Sequence, residues 1–124
     1  MVEGQAVRIG DFAQQTGISK SRIRFYEARG LLPPTSRSAN GYRSYQERDA
    51  KILLFIDRAR RLGFSLEVIR TFLVDHAGTS SGPTELIRML EAKLGEIDAH
   101  IAEARRRRRE ITALLSELRQ PAIR

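Results

Sequence analysis

The chain has 124 residues, 22 Lys and Arg against 15 Asp and Glu, a net charge of +7 and no cysteine. That length holds one compact domain, or one domain with an extension, and the missing thiols exclude disulfides, thiolate metal sites, Cys-held iron–sulfur clusters and thiol redox sensing within this chain. With no apolar run of about 18 residues and no signal-peptide core, a cytoplasmic protein with no membrane partner is expected.

The charge is uneven. Residues 1–75 carry 13 basic and 8 acidic side chains, and the remainder 9 and 7. The excess therefore sits mostly in the first part of the chain, as nucleic-acid binding requires.

Residues 1–7 read as a loose start and residues 8–16 as a first helix. Asp11 falls in its first turn, where the dipole favours a carboxylate, and Phe12 and Ala13 face inward. Gly17 suits a turn, because it reaches positive φ at low cost. Ser19 is a natural N-cap for a second helix over residues 20–29. Ile23 and Tyr26 lie three apart on one face of it, while Lys20, Ser21, Arg22, Arg24 and Arg29 take other positions. Gly30 is a C-cap, and Pro33-Pro34 forbids continuation. Phe12, Ile18, Ile23, Leu31 and Leu32 read as core.

Asn40-Gly41 is a strong signal for a type I′ hairpin, which needs positive φ at both central residues. Residues 35–45 therefore read as a β-hairpin wing, with Arg37, Tyr42 and Arg43 as candidate DNA ligands and Tyr45 packing it onto the body. From Lys20 to Arg43 there are six Lys and Arg against one acid, Glu27. A short basic helix plus a basic hairpin meets the needs of groove entry and phosphate clamping. Glu27 reads as a partner of Arg24 or Arg29 rather than a general base. No glycine-rich phosphate loop, thiol nucleophile or carboxylate pair supports an enzyme.

Residues 46–62 form a third helix with Ile52, Leu53, Phe55, Ile56, Ala59 and Leu62 as its apolar stripe. Gly63 breaks it, Ser65 caps the next helix, and Leu66, Ile69, Phe72 and Leu73 pack inward. A shift of 46 positions sets Gly17 on Gly63, Ser19 on Ser65, Ile23 on Ile69 and Arg24 on Arg70, a weak internal repeat.

Residues 76–82 read as a linker by composition. Pro83 suits a first helical turn, and one helix of about 50 Å runs on to Leu118. Leu90, Leu94, Ile97, Ile101, Ala104, Arg108, Ile111, Leu115 and Leu118 alternate spacings of 4 and 3, the pattern of a heptad seam. A lone helix cannot bury such a seam, so residues 83–119 imply a second copy, with residues 120–124 as a tail. Residues 85–103 hold five acids and two bases, and residues 104–119 six bases and two acids. A parallel pair would set Arg105–Arg109 against itself, so an antiparallel coiled coil is expected. Dimer-interface residues are then Leu90, Leu94, Ile97, Ile101, Ala104, Ile111, Leu115 and Leu118.

Arg8-Ile9-Gly10, Thr16-Gly17-Ile18-Ser19, Ile23-Arg24-Phe25-Tyr26-Glu27, Gly30-Leu31-Leu32-Pro33, Asn40-Gly41-Tyr42-Arg43 and Leu62-Gly63-Phe64-Ser65-Leu66 stand in one order and spacing. With these, residues 8–75 resemble the DNA-binding part of the MerR family of bacterial transcription regulators. The resemblance implies a mainly α fold: a winged helix-turn-helix domain with a small β-hairpin wing (residues 1–75), then a long helix forming an antiparallel coiled-coil dimer. It puts Lys20, Ser21 and Arg22 nearest base edges and Arg24 and Tyr26 at phosphate-contacting positions. Phe25 stands where family members commonly have Tyr, without the hydroxyl. The second helical unit would brace the first and touch the flanking backbone, with Arg58, Arg60, Arg61 and the N–H groups at Ser65 as candidates.

The implied function is a dimeric, sequence-specific regulator. It would bind an inverted repeat in double-stranded promoter DNA and activate by distortion, with RNA polymerase an indirect partner. Metal sensors of the family use cysteines near the start of the long helix and beyond its end. Here Thr79-Ser80-Ser81 occupy the start and Gln120-Pro121-Ala122-Ile123-Arg124 follow the end, so no cofactor and no metal site are expected. His76 and His100 read as surface or interface residues. Two readings of control stay open, a small apolar or aromatic effector and regulation by abundance alone. An architectural DNA-bending protein of weak sequence preference is the second functional reading, and a coiled-coil adaptor with a basic face the third.

Overall fold

The computed structural model describes residues 6–32 and 44–121. The expected wing turn at Asn40-Gly41, with Arg37, Tyr42 and Arg43, lies outside the described residues. The fold is mainly α: among the described residues there are five helices, α1 (Ile9–Thr16), α2 (Lys20–Ala28), α3 (Glu47–Arg61), α4 (Leu66–Asp75) and α5 (Gly82–Arg119). Contacts divide the chain into two units, Met1–Ala77 and Gly78–Arg124.

In the first unit one local device is used twice. Gly17 takes φ 75° and its N–H donates to the Ala13 carbonyl at 2.8 Å, closing α1. Two residues on, the Ser19 hydroxyl accepts from the Arg22 N–H at 3.2 Å and starts α2. After α3, Gly63 takes φ 100° and the Ser65 hydroxyl accepts from the Val68 N–H at 3.2 Å, starting α4. Glycine supplies the left-handed residue and serine satisfies an orphan N–H, so the 46-residue echo is a repeat of geometry as well as of letters.

Phe12, Ile18, Ile23, Tyr26, Leu31, Leu32, Tyr45, Leu53, Ile56, Ala59 and Ile69 form one buried cluster. The Phe12 and Tyr45 rings stack at 4.4 Å and 10°, a pairing worth about 0.5–1.5 kcal/mol beyond the area it buries. Tyr45 and Val7 also exchange backbone hydrogen bonds of 2.8 and 2.7 Å in an antiparallel bridge. Val7, read as part of a loose start, is thus pinned: extended backbone needs a partner, and Tyr45 supplies both donor and acceptor. The Tyr45 hydroxyl donates to the Glu27 carboxylate at 3.0 Å, so Glu27 has a partner across the core edge in addition to whatever its own helix offers.

One further residue departs from expectation. Leu62 is 48% exposed; it is the C-cap of α3, where the chain leaves the helix and the stripe no longer governs its direction. Asp49 is buried, its carboxylate accepting from the Gln46 N–H at 2.8 Å, which satisfies a donor at the start of α3. Phe55 and Phe72 meet at 5.4 Å between α3 and α4.

The second unit is carried by α5, 38 residues and about 57 Å long. Leu90, Leu94, Ile97, Ile101, Ile111, Leu115 and Leu118 are 39 to 74% exposed, and Ile87, one step earlier in the same spacing, is exposed with them; Ala104 is exposed too. Along its outer surface Arg106 pairs with Glu103 and, at 2.9 Å, with Glu110, and Arg107 pairs with Glu103 at 3.3 Å. Such pairs contribute about 0.3–0.5 kcal/mol each. Among the described residues no helix is long and apolar enough to cross a membrane.

Gly95 sits within α5, next to Leu94 but off the seam, and a Cβ there meets nothing within 4 Å. Glycine in a helix interior costs about 0.5–1 kcal/mol relative to alanine. Gly95→Ala therefore raises stability by about that amount, read as a higher thermal midpoint by circular dichroism; an unchanged or lower midpoint would show that the position is packed in solution.

Candidate nucleic-acid interface

α2 has two faces with different fates. Ile23 and Tyr26 have no exposed surface, and they anchor the helix to the core. Lys20, Ser21, Arg22 and Arg24 are all exposed. A helix of nine residues would not persist alone in water, so the inward pair is what allows the outward residues to hold a fixed spacing. At 3.6 residues per turn Arg22 and Arg24 point about 160° apart, toward different parts of any ligand that α2 enters.

Tyr26, expected at a DNA phosphate, lies elsewhere. Its ring is wholly buried, and its hydroxyl donates to the Asp57 carboxylate at 3.1 Å. A residue with no accessible surface cannot touch a phosphate; three positions after Ile23 it falls on the inward face, and packing decides its role.

Asp57 is the residue that sequence reasoning missed. It is only 4% exposed, and three donors converge on it. Oδ1 accepts from the Tyr26 hydroxyl and, at 3.4 Å, from Arg22 Nη1, while Oδ2 accepts from Arg61 at 2.6 Å. A buried carboxylate is tolerated when it is paired and hydrogen-bonded, and here both oxygens are occupied. The signal available in the sequence was small: one acid four residues before Arg61, inside an apolar stripe.

Next along the same side of α2, the Phe25 ring is half-buried. The Arg29 guanidinium lies 4.8 Å and that of Arg60 5.8 Å from its centroid, within cation–π range. Arg60, a candidate for the flanking backbone, thus also braces α2 from α3, and Arg61, another, holds Asp57 within α3. Arg58 is exposed. Ser65 is exposed at the start of α4, where the dipole favours an anion, and Glu67 stands in the same first turn. Arg70 of α4 reaches toward Gly30: a methyl there would lie 3.5 Å from its Nε. Among the described residues no cluster of three His, Asp or Glu could hold a metal ion.

This arrangement of two helix-turn-helix units matches known proteins. Residues 7–75 match the family described as MerR HTH family regulatory protein, and residues 50–119 match MerR, DNA binding. The chain belongs to the MerR family. It is similar to the HTH-type transcriptional regulator CueR of Salmonella typhimurium, 33% identical over 108 residues that cover 87% of this chain and 78% of that one. Among solved structures it resembles MerR of Bacillus megaterium MB1 in complex with mercury(II) ion, with a TM-score of 0.70 and 27% identity over 95% of this chain and 90% of that one. It also resembles HiNmlR, a MerR family regulator lacking the sensor domain and bound to promoter DNA, with a TM-score of 0.61 and 25% identity over 90% and 89%. The MerR family is one of transcription regulators, not of enzymes.

Tyr26→Phe removes one of the three donors on Asp57 and keeps the ring. The variant should lose about 1–2 kcal/mol, against about 3–5 kcal/mol for Tyr26→Ala, which also leaves a cavity. Urea unfolding of the two variants checks the ordering; equal losses would mean that the hydroxyl–carboxylate bond contributes nothing apart from the ring.

Proposed function

We propose that this MerR-family regulator is a cytoplasmic homodimer that binds an inverted repeat in a promoter through α2 and activates by distorting the DNA between promoter elements. The observation that carries the reading is the two-sided α2: Lys20, Ser21, Arg22 and Arg24 are exposed around a helix whose Ile23–Tyr26 side is locked in the core. The promoter-bound state of HiNmlR supports the same use of this fold. Lys20, Ser21 and Arg22, at the start of α2, meet base edges in the major groove. Arg24 meets phosphate. Ser65 at the start of α4 meets the flanking backbone, sharing that helix end with Glu67. The wing residues Arg37, Tyr42 and Arg43 add further phosphate contacts. Bending the site costs of order 1–10 kcal/mol, which these extended contacts offset. RNA polymerase then engages the reshaped promoter.

The dimer forms through α5. Its apolar seam is exposed over more than eight turns, and a second copy covers it. An antiparallel pair with Ile87 of one chain opposite Leu118 of the other places residues 105–109 opposite residues 96–100, which include Glu96 and Asp98. Glu103 and Glu110 are engaged within their own helix, so Arg105, Arg108 and Arg109 supply the charge across the pair. The coil holds two copies of α2 at one separation, and that separation sets the half-site spacing.

Selection of genomic fragments by the purified protein, followed by footprinting of the best fragment, tests this. The expected result is one protected inverted repeat between promoter elements; diffuse protection without a repeat would move the protein to the architectural class. Two variants test the division of labour on that fragment. Arg24→Ala weakens binding to all sequences and lowers the salt slope by about one unit. Arg22→Ala relaxes specificity at one base pair. Identical behaviour of the two would remove the distinction between phosphate and base contacts.

A further inference from the structure

We infer that Asp57 is a positioning residue for base recognition, holding the Arg22 guanidinium in the orientation that reads one base pair. The inference rests on the reading of α2 given above. It begins with a chain of contacts from the core to the surface. The Tyr26 ring is immobilised by complete burial, its hydroxyl donates to Asp57 Oδ1 at 3.1 Å, and the same oxygen accepts from Arg22 Nη1 at 3.4 Å. Arg61 takes the other oxygen at 2.6 Å. The carboxylate therefore cannot rotate without breaking two bonds, and it cannot reach DNA itself, because it is 4% exposed.

Arg22 stands at the end of that chain with its side chain 49% exposed. Only Nη1 touches Asp57, and among the described residues the Arg22 side chain makes no other hydrogen bond. The edge formed by Nε and Nη2 stays available, and that edge can give the two parallel N–H donors that guanine O6 and N7 accept. The Nη1 contact is long for a hydrogen bond, so it steers the side chain without locking it. An unsteered arginine loses much rotamer freedom on binding; one already held by a fixed carboxylate loses less, and the saving applies only at the base pair where the fork fits. Arg24, in the same helix, has no such contact among the described residues, which suits a residue that needs only charge.

The test uses the full-length protein, the best fragment from the genomic selection and its single base-pair variants. Asp57→Asn keeps the shape and removes a negative charge near the DNA. Discrimination at the base pair that Arg22→Ala relaxes should fall about threefold or more, against about tenfold for Arg22→Ala itself. Affinity for unrelated DNA should hold or rise, since one repulsive charge is gone. Adding Asp57→Asn to Arg22→Ala should change discrimination no further. A merely structural role would lower specific and non-specific binding together, and that outcome would overturn the inference. Arg22→Ala with unchanged discrimination at every base pair would instead overturn the underlying reading of α2. Should Asp57→Asn fail to fold, the wild-type protein decides the matter. Guanidinium N–H exchange measured by NMR in the absence of DNA should be slower for Arg22 than for Arg24, and equal rates would refute the steering.

Discussion

The structure depends on holding a nine-residue helix still. Isolated helices of that length melt in water, and α2 has only two wholly buried side chains, Ile23 and Tyr26, to attach it. The attachment works because both sit on one face and because the Tyr26 hydroxyl does not end in a void: it ends on Asp57 of α3. Apolar burial sets the depth of the helix, and the hydroxyl–carboxylate bond sets its rotation. With rotation set, the exposed residues Lys20, Ser21, Arg22 and Arg24 have defined directions.

Around this anchor the two helix-turn-helix units divide the labour. The first offers the exposed basic residues. The second supplies the brace: Asp57, Arg60 and Arg61 all come from the last two turns of α3 and all meet residues of α2 or one another. Clustering like charges at one helix end would be costly if they were bare. Here the Phe25 ring and the Asp57 carboxylate accept part of that charge, while the C-terminal dipole of α3 favours the rest. The result is a surface that stays strongly positive yet is ordered by contacts made without DNA.

α5 illustrates a different solution. Its helicity owes little to the rest of the chain: a ladder of intrahelical pairs runs along its polar surface, and 38 residues exceed the length at which helices become self-supporting. Its apolar seam, by contrast, is exposed among the described residues. Burial of about 25 cal/mol for each Å² is withheld until a second copy arrives, so assembly adds to a stability that the helix already has by itself.

Much of this was legible in the residues themselves. Gly17, Ser19, Gly63 and Ser65 announce their turns and caps because those requirements are local: a positive φ, an orphan N–H. The seam of α5 is legible because its period is set by helix geometry alone. Phe12, Ile23 and Tyr45 announce burial by type and spacing. What tertiary structure alone decided is where polar atoms of buried or bridging residues end. Tyr26 carries a hydroxyl that could serve phosphate or core, and only the approach of α3 sends it to Asp57, 31 residues away. Val7 and Glu27 likewise found their partner in Tyr45, across 38 and 18 residues. Such pairings depend on the relative placement of elements, for which a one-dimensional pattern of polar and apolar residues has no term; local conformation and helix period need nothing beyond the chain's own neighbours.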